Sequence, residues 1–136
     1  AVPIAVGGSG SANQFFISGN GAVYIFYGQS DQVVSAAGSI GTNQWQHCAL
    51  TRSSGTLRLF VNGSVVGSAA NSTTDFFGNT LISIGRRGDG NHYLTGYMQD
   101  LRIYQGVGKY TSSFSPPERS VQGTARRYPS GVYVVS

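Results

Sequence analysis

Charge is what this sequence has least of. Lys, Arg, Asp and Glu make up 10% of its 136 residues, and the acids are only Asp31, Asp75, Asp89, Asp100 and Glu118. Chemistry that needs paired carboxylates therefore has almost nothing to draw on. Glycoside hydrolysis usually sets one carboxyl as acid and a second as base or nucleophile across the bond. Here there is a single glutamate, and Asp89 and Asp100 fall on different segments. Histidine is equally scarce. His47 and His92 are the only two, no Gly-x-Ser-x-Gly turn accompanies them, and no nucleophilic triad can be composed. The single cysteine, Cys48, excludes an intrachain disulfide and, between apolar neighbours, reads as a small buried hydrophobe. No stretch approaches the roughly 20 apolar residues of a membrane helix. No basic start followed by an apolar run marks a signal peptide. Helical periodicity of ordinary length, low-complexity tracts and internal repeats are also missing. The first residue is Ala1 rather than Met, as expected of a processed chain or a piece of a longer protein.

What the sequence does have is glycine (20 residues) and aromatic side chains (12%), too much apolar and aromatic content for a disordered chain. Gly-rich turns between short β-branched and aromatic runs predict one all-β domain, a sandwich or a barrel. The firmest segment runs from Asn43 to Gly63. Gln44 to Arg52 reads as a strand, Ser53-Ser54-Gly55 as a turn, and Thr56 to Val61 as a second strand with Leu57, Leu59 and Val61 on one face. Asn62-Gly63 supplies two positive-φ positions for a hairpin into a third strand, Ser64 to Ala69. A second hairpin is expected at Asn20-Gly21, between Gln14–Ser18 and Ala22–Tyr27. Weaker strands are expected at Gln32–Ala37 and Thr80–Ile84, and a long extended run at His92–Tyr104, broken at Gly96. Pro116-Pro117 ends regular structure.

Three segments together resemble the laminin-G-like modules of the concanavalin A-like lectin/glucanase superfamily. They are Trp45-Gln46-His47-Cys48-Ala49-Leu50-Thr51-Arg52 with Gly55 to Gly63, then Ile84-Gly85-Arg86-Arg87, then Gly96-Tyr97-Met98-Gln99-Asp100-Leu101-Arg102-Ile103-Tyr104. The ending Gly106 to Pro117 is similar to a variant frequent in phage virion proteins. The resemblance covers roughly residues 44–117 and implies an antiparallel jelly-roll sandwich of two sheets, with the family's N-terminal strands missing. It divides the chain into a sandwich at 1–117 and an extended C-terminal tail at 118–136. Where the family often carries an acid, this chain has Gln99. Glucanases of this fold use closely spaced glutamates, which are absent here, so the expectation is a chain that is not an enzyme.

The loop around Arg86, Arg87, Asp89, Asn91, His92 and Tyr93 combines sugar hydroxyl partners with an aromatic ring, and is the candidate carbohydrate-binding site. Asp89-Gly90-Asn91 resembles part of a Ca²⁺ loop, but neighbouring Arg86 and Arg87 repel a cation and carboxylates are too few, so no metal or other cofactor is expected. His47 is expected to be structural. The tail, with Arg126 and Arg127 before Val132, Tyr133 and Val134, is suited to adding a strand to a neighbour. The functional expectation is a non-catalytic structural module of an extracellular or virion-surface assembly, working with other protein chains as a homo-oligomer or in a larger complex. The alternative is a glycan-binding adhesion module. A net charge of +4 without a groove- or base-reading motif argues against nucleic acid, and no membrane partner is expected.

Overall fold

The computed structural model describes residues 4–6, 13–27, 30–70, 81–120, 127–129 and 132–135, and these contain strands and no helix. The central hairpins form as their turn chemistry dictates. β5 (Cys48–Ser53), β6 (Thr56–Val61) and β7 (Ser64–Ala70) are antiparallel neighbours. Ser54 and Gly55 link the first pair at φ of 48° and 70°, and Asn62 and Gly63 link the second at 50° and 81°. Two positive-φ residues give a two-residue turn whose twist suits the flanking strands. Asn62 also ties the entry to β5: its Oδ1 accepts the His47 N–H at 3.0 Å, and its own N–H donates to the His47 carbonyl at 2.8 Å.

The other hairpin joins β2 (Asn13–Ile17) to β3 (Val23–Tyr27). It uses a longer turn in which Gly21 alone takes a positive φ, 76°. Asn20 Oδ1 accepts the Ala22 N–H at 3.1 Å and the Ser18 hydroxyl. β4 (Ser30–Val34) pairs with β3. β1 (Ile4–Val6) pairs with β2 on one side and with β8 (Ile82–Ile84) on the other. The first sheet is therefore ordered β4-β3-β2-β1-β8. The second is β7-β6-β5-β12-β9, with β9 at Arg102–Tyr104 and β12 at Val132–Val135. Every pairing is antiparallel except the two made by β12, which runs parallel to β5 and β9.

The two sheets bury one core. Phe15, Val23, Ile25 and Val33 from the first face Cys48, Leu50, Leu57, Leu59 and Val61 from the second. Burying a side chain such as Leu59 contributes about 2–3 kcal/mol. The sandwich closes tightly where β4 meets β7. A Cβ on Gly67 would lie 2.8 Å from Val33 Cγ1, so the missing side chain sets how near the sheets can approach. A smaller cluster covers the outer face of the second sheet. There Ala49 and Phe60 lie beneath Tyr104, Tyr110 and Phe114, held by Thr51 Oγ1 donating to the Tyr110 carbonyl (2.8 Å) and the Phe114 N–H donating to the Gly63 carbonyl (2.9 Å).

Three expectations need correction. The extended run from His92 to Tyr104 is a strand only at its end, because His92, Gly96 and Asp100 take φ of 55°, 145° and 52° and break any ladder. Asn43, at φ 59°, likewise turns the chain, so β5 begins at Cys48 rather than Gln44. The stretch from Glu118 does not leave as an extended arm. β10 (Glu118–Ser120) pairs with β11 (Arg127–Pro129), and Val132, Tyr133 and Val134 pair with β5 and β9 of the chain's own second sheet. Backbone pairing inside one chain needs no association entropy, whereas adding a strand to a neighbour does. Arg126, Phe76-Phe77 and the glycines at 7, 8 and 10 lie outside the described residues.

Candidate functional site

At the end of the sandwich where β2 finishes and β5 begins, the sheets part into a cleft of about 580 Å³. Ile17 and Cys48 lie at its base, and its walls come from residues 40–46 and 94–99. Local backbone chemistry builds both walls. The positive φ of Asn43 swings Gln44, Trp45 and Gln46 out of line with β5. Gly41 has no Cβ, and one placed there would sit 2.3 Å from Gln44 Nε2, so the glycine gives the amide its room. On the other wall Gly96, at φ 145°, precedes Tyr97, whose side chain is 90% exposed. Trp45 is 44% exposed.

The lining is apolar and amide-bearing, and none of its residues carries a charge. Asn43, Gln44, Gln46 and Gln99 each bring a donor and an acceptor. Gln46 Oε1 is buried without a hydrogen-bond donor. Cys48, at the base, is an inert thiol, because burial pushes its pKa up to about 12. A volume of this size falls within the range of small-ligand sites.

The loop singled out from the sequence lies beside the cleft and largely satisfies itself. Arg87 donates through Nε to Asp89 Oδ1 (3.0 Å) and through Nη2 to Oδ2 (2.5 Å), and Oδ1 also accepts the Asn91 N–H (3.0 Å). The Arg87 N–H closes onto the Asn91 carbonyl, and the Leu94 N–H closes the base of the loop onto Gly85. The hydrogen bond from Arg87 holds the Asp89 carboxyl well below the usual carboxylate range. Arg86, His92 and Tyr93 are exposed on the same loop, but none of the six lines the cleft; Leu94 is where loop and cleft meet. Among the described residues no three of His, Cys, Asp or Glu come together as metal ligands, and no helix is long and apolar enough to cross a membrane.

His47 lies on the outer face of the second sheet, fully buried, its ring meeting Phe114 edge-on at 5.4 Å and Tyr110 at 6.3 Å. Burial, and secondarily the positive charge of Arg102, lower its pKa from the ordinary 6.5 to about 4. It is a neutral packing residue at pH 7, walled off under stacked Tyr110 and Phe114.

Sequence reasoning missed Gln44, Trp45, Gln46, Tyr97 and Gln99 as a group. The signal was present: the only tryptophan, flanked by amides in Asn43-Gln44-Trp45-Gln46, and a Gly-Tyr step at Gly96-Tyr97. Read as strand, that run gave no sign that it lines a cleft.

A laminin-G-type family model, described as the concanavalin A-like lectin/glucanases superfamily, matches residues 2–108. The match takes in the first sheet's strands β1 to β4, well before the segments on which the resemblance rested. No curated protein and no solved structure matches the chain.

Proposed function

The chain belongs to the concanavalin A-like lectin/glucanase superfamily, and on that premise we propose that it is a non-catalytic binding module whose cleft holds a neutral carbohydrate. Members of the superfamily often serve as interaction or carbohydrate-binding modules; laminin-G-like ones are generally non-catalytic, although the superfamily includes glycosidases. The observation that carries the reading is the cleft's chemistry. Two exposed aromatic residues, Trp45 and Tyr97, line it together with side-chain amides, with no charge among them. A sugar offers an apolar C–H face for a ring and hydroxyls that both donate and accept, which matches that lining. The non-catalytic part rests on the carboxylates: Asp89 is committed to Arg87, and no acid lines the cleft.

The test is a glycan array with wild type, Trp45→Ala and Asp89→Ala. Neutral glycans are retained by wild type and Asp89→Ala and weakened at least tenfold by Trp45→Ala, about 1.4 kcal/mol. Retention in Trp45→Ala with loss in Asp89→Ala would move the site to the 86–93 loop.

A second reading is an interaction module built into a larger extracellular or virion-surface assembly. It is favoured by a separate observation, the large apolar side chains left exposed on the terminal strands β8 and β9. Native mass measurement across a range of concentrations tests it; a monomer at every concentration, alone and in extracts of its source, contradicts it.

A further inference from the structure

The cleft is graded from floor to rim. Cys48, at the floor, belongs to the buried core, and Ile40 packs against that core. Ile17, Leu94 and Met98 complete the lower lining and are half-buried. Ile17 is in register with fully buried Val23, so it stands on the core-facing side of the first sheet. Apart from the Cys48 thiol, a weak donor, only two polar side chains among the described lining residues reach this depth. They are Gln46 and Gln99, one from each wall, and both are carboxamides. Gly41 makes room for Gln46 as it does for Gln44, since a Cβ on Gly41 would lie 3.2 Å from Gln46 Nε2. The other polar side chains of the lining are exposed: Thr42, Asn43, Gln44 and Thr95, on the same rim as Trp45 and Tyr97.

This grading restricts the occupant. A sugar that entered hydroxyl-first would bury its hydroxyls against Cys48, Ile40 and Met98, where no hydrogen bond replaces the one lost to water. A bare methyl would suit those side chains but offer nothing to the two amides. An acetamido group has both parts. Its methyl matches the apolar floor, and beside the methyl it carries one N–H and one C=O for two carboxamides that each donate and accept. It is also neutral, in keeping with a lining that holds no charge.

We propose that the cleft selects sugars bearing an acetamido group. The acetamide enters first, its methyl against Cys48, Ile40 and Met98 and its N–H and C=O paired with Gln46 and Gln99. The ring follows, with its hydroxyls among the exposed polar side chains of the rim and with Trp45 and Tyr97 beside it. This rests on the carbohydrate reading and narrows its ligand class.

The test is saturation-transfer difference NMR on the full chain with matched methyl glycosides. N-acetylglucosamine is compared with glucose and N-acetylgalactosamine with galactose, so that each pair differs in one substituent. The methyl glycoside of fucose supplies a sugar methyl without an amide, and N-acetylalanine methylamide supplies an acetamide without a sugar. In at least one pair the acetamido sugar binds about tenfold or more tightly than its hydroxyl twin, and its acetamide methyl is the most strongly saturated group. Gln99→Leu brings the ratio within that pair below about threefold, and Gln46→Leu does the same from the other wall. The comparison among ligands needs only the wild-type chain, so it stands whether or not a glutamine variant folds. Twins that bind equally, and lose binding together in Trp45→Ala, overturn the acetamido inference and keep the neutral-carbohydrate reading. A fucoside that binds as tightly as the best acetamido sugar, or ring protons saturated more strongly than the methyl, also overturns it alone. Binding of the peptide amide without any sugar overturns both. No binding by any glycoside overturns this inference, and the carbohydrate reading then stands or falls on the glycan array.

Discussion

Gly63→Ala should destabilise this protein far more than an ordinary turn substitution. Two costs combine. The residue sits at φ 81°, where a side chain costs about 1–2 kcal/mol. Its Cβ would also fall 1.8 Å from the Phe114 carbonyl oxygen and 3.1 Å from Pro116 Cδ, distances no rotamer can relieve because the first atom is backbone. Either the hairpin or the 110–116 segment must move. Moving it breaks the Phe114 N–H bond to Gly63, about 1 kcal/mol. It also separates Phe114 from His47 and Phe60, ring contacts of about 0.5–1.5 kcal/mol each. The total is about 3–6 kcal/mol, a large share of the roughly 5–15 kcal/mol that holds a domain folded. Gly38→Ala is the matched control, since Gly38 has φ 76° but nothing within 4 Å of its Cβ position. It loses only the conformational part, about 1–2 kcal/mol. Urea unfolding followed by far-UV circular dichroism measures both. Equal losses in the two variants would refute the claim that the 110–116 segment, a strap across the second sheet, is locked against this turn.

Two further outcomes follow from the same strap. His47 has a folded pKa lowered to about 4 from 6.5, so the unfolded chain binds its proton more tightly; stability is complete above about pH 6.5 and declines as pH falls toward 4, by up to about 3 kcal/mol. Urea unfolding between pH 7.5 and 4.5 shows this slope in wild type and a flatter one in His47→Gln; equal slopes contradict it. Thr51→Val removes the hydroxyl that donates to the Tyr110 carbonyl and should cost about 1 kcal/mol, with Tyr110 near-UV ellipticity reduced; an unchanged unfolding midpoint counts against that bond as a tether.

The sequence made the local parts of this fold legible. Alternation at Leu57, Leu59 and Val61 and the paired positive-φ turn at Asn62-Gly63 are short-range signals, and both appear as read. What it hid is long-range. Phe60 reads as outward-facing, and it is, but it is buried because Tyr110 and Phe114 cross over it from some 50 residues away in sequence. The parallel insertion of β12 between β5 and β9 has no local signature at all, since a β-prone run says nothing about which edge it joins. The cleft went unanticipated for a related reason. The glycine-rich loop at 86–93 draws attention through its polar and charged residues, two of which, Arg87 and Asp89, bond each other. Trp45, Tyr97 and Gln99 look unremarkable in sequence and come to line one opening only when Asn43 and Gly96 turn two distant segments toward it.

Trp45 is the only tryptophan, so its fluorescence reports the cleft and nothing else. Titration of the full chain with neutral oligosaccharides, at low and high salt, is the most direct measurement of the proposed activity. The predicted result is a saturable change in emission with one class of neutral oligosaccharide. Because no charge lines the cleft, that change is insensitive to salt, and Tyr97→Ala weakens it at least tenfold. Emission unmoved by a broad neutral panel, or binding that salt abolishes and Tyr97→Ala leaves intact, would contradict the account.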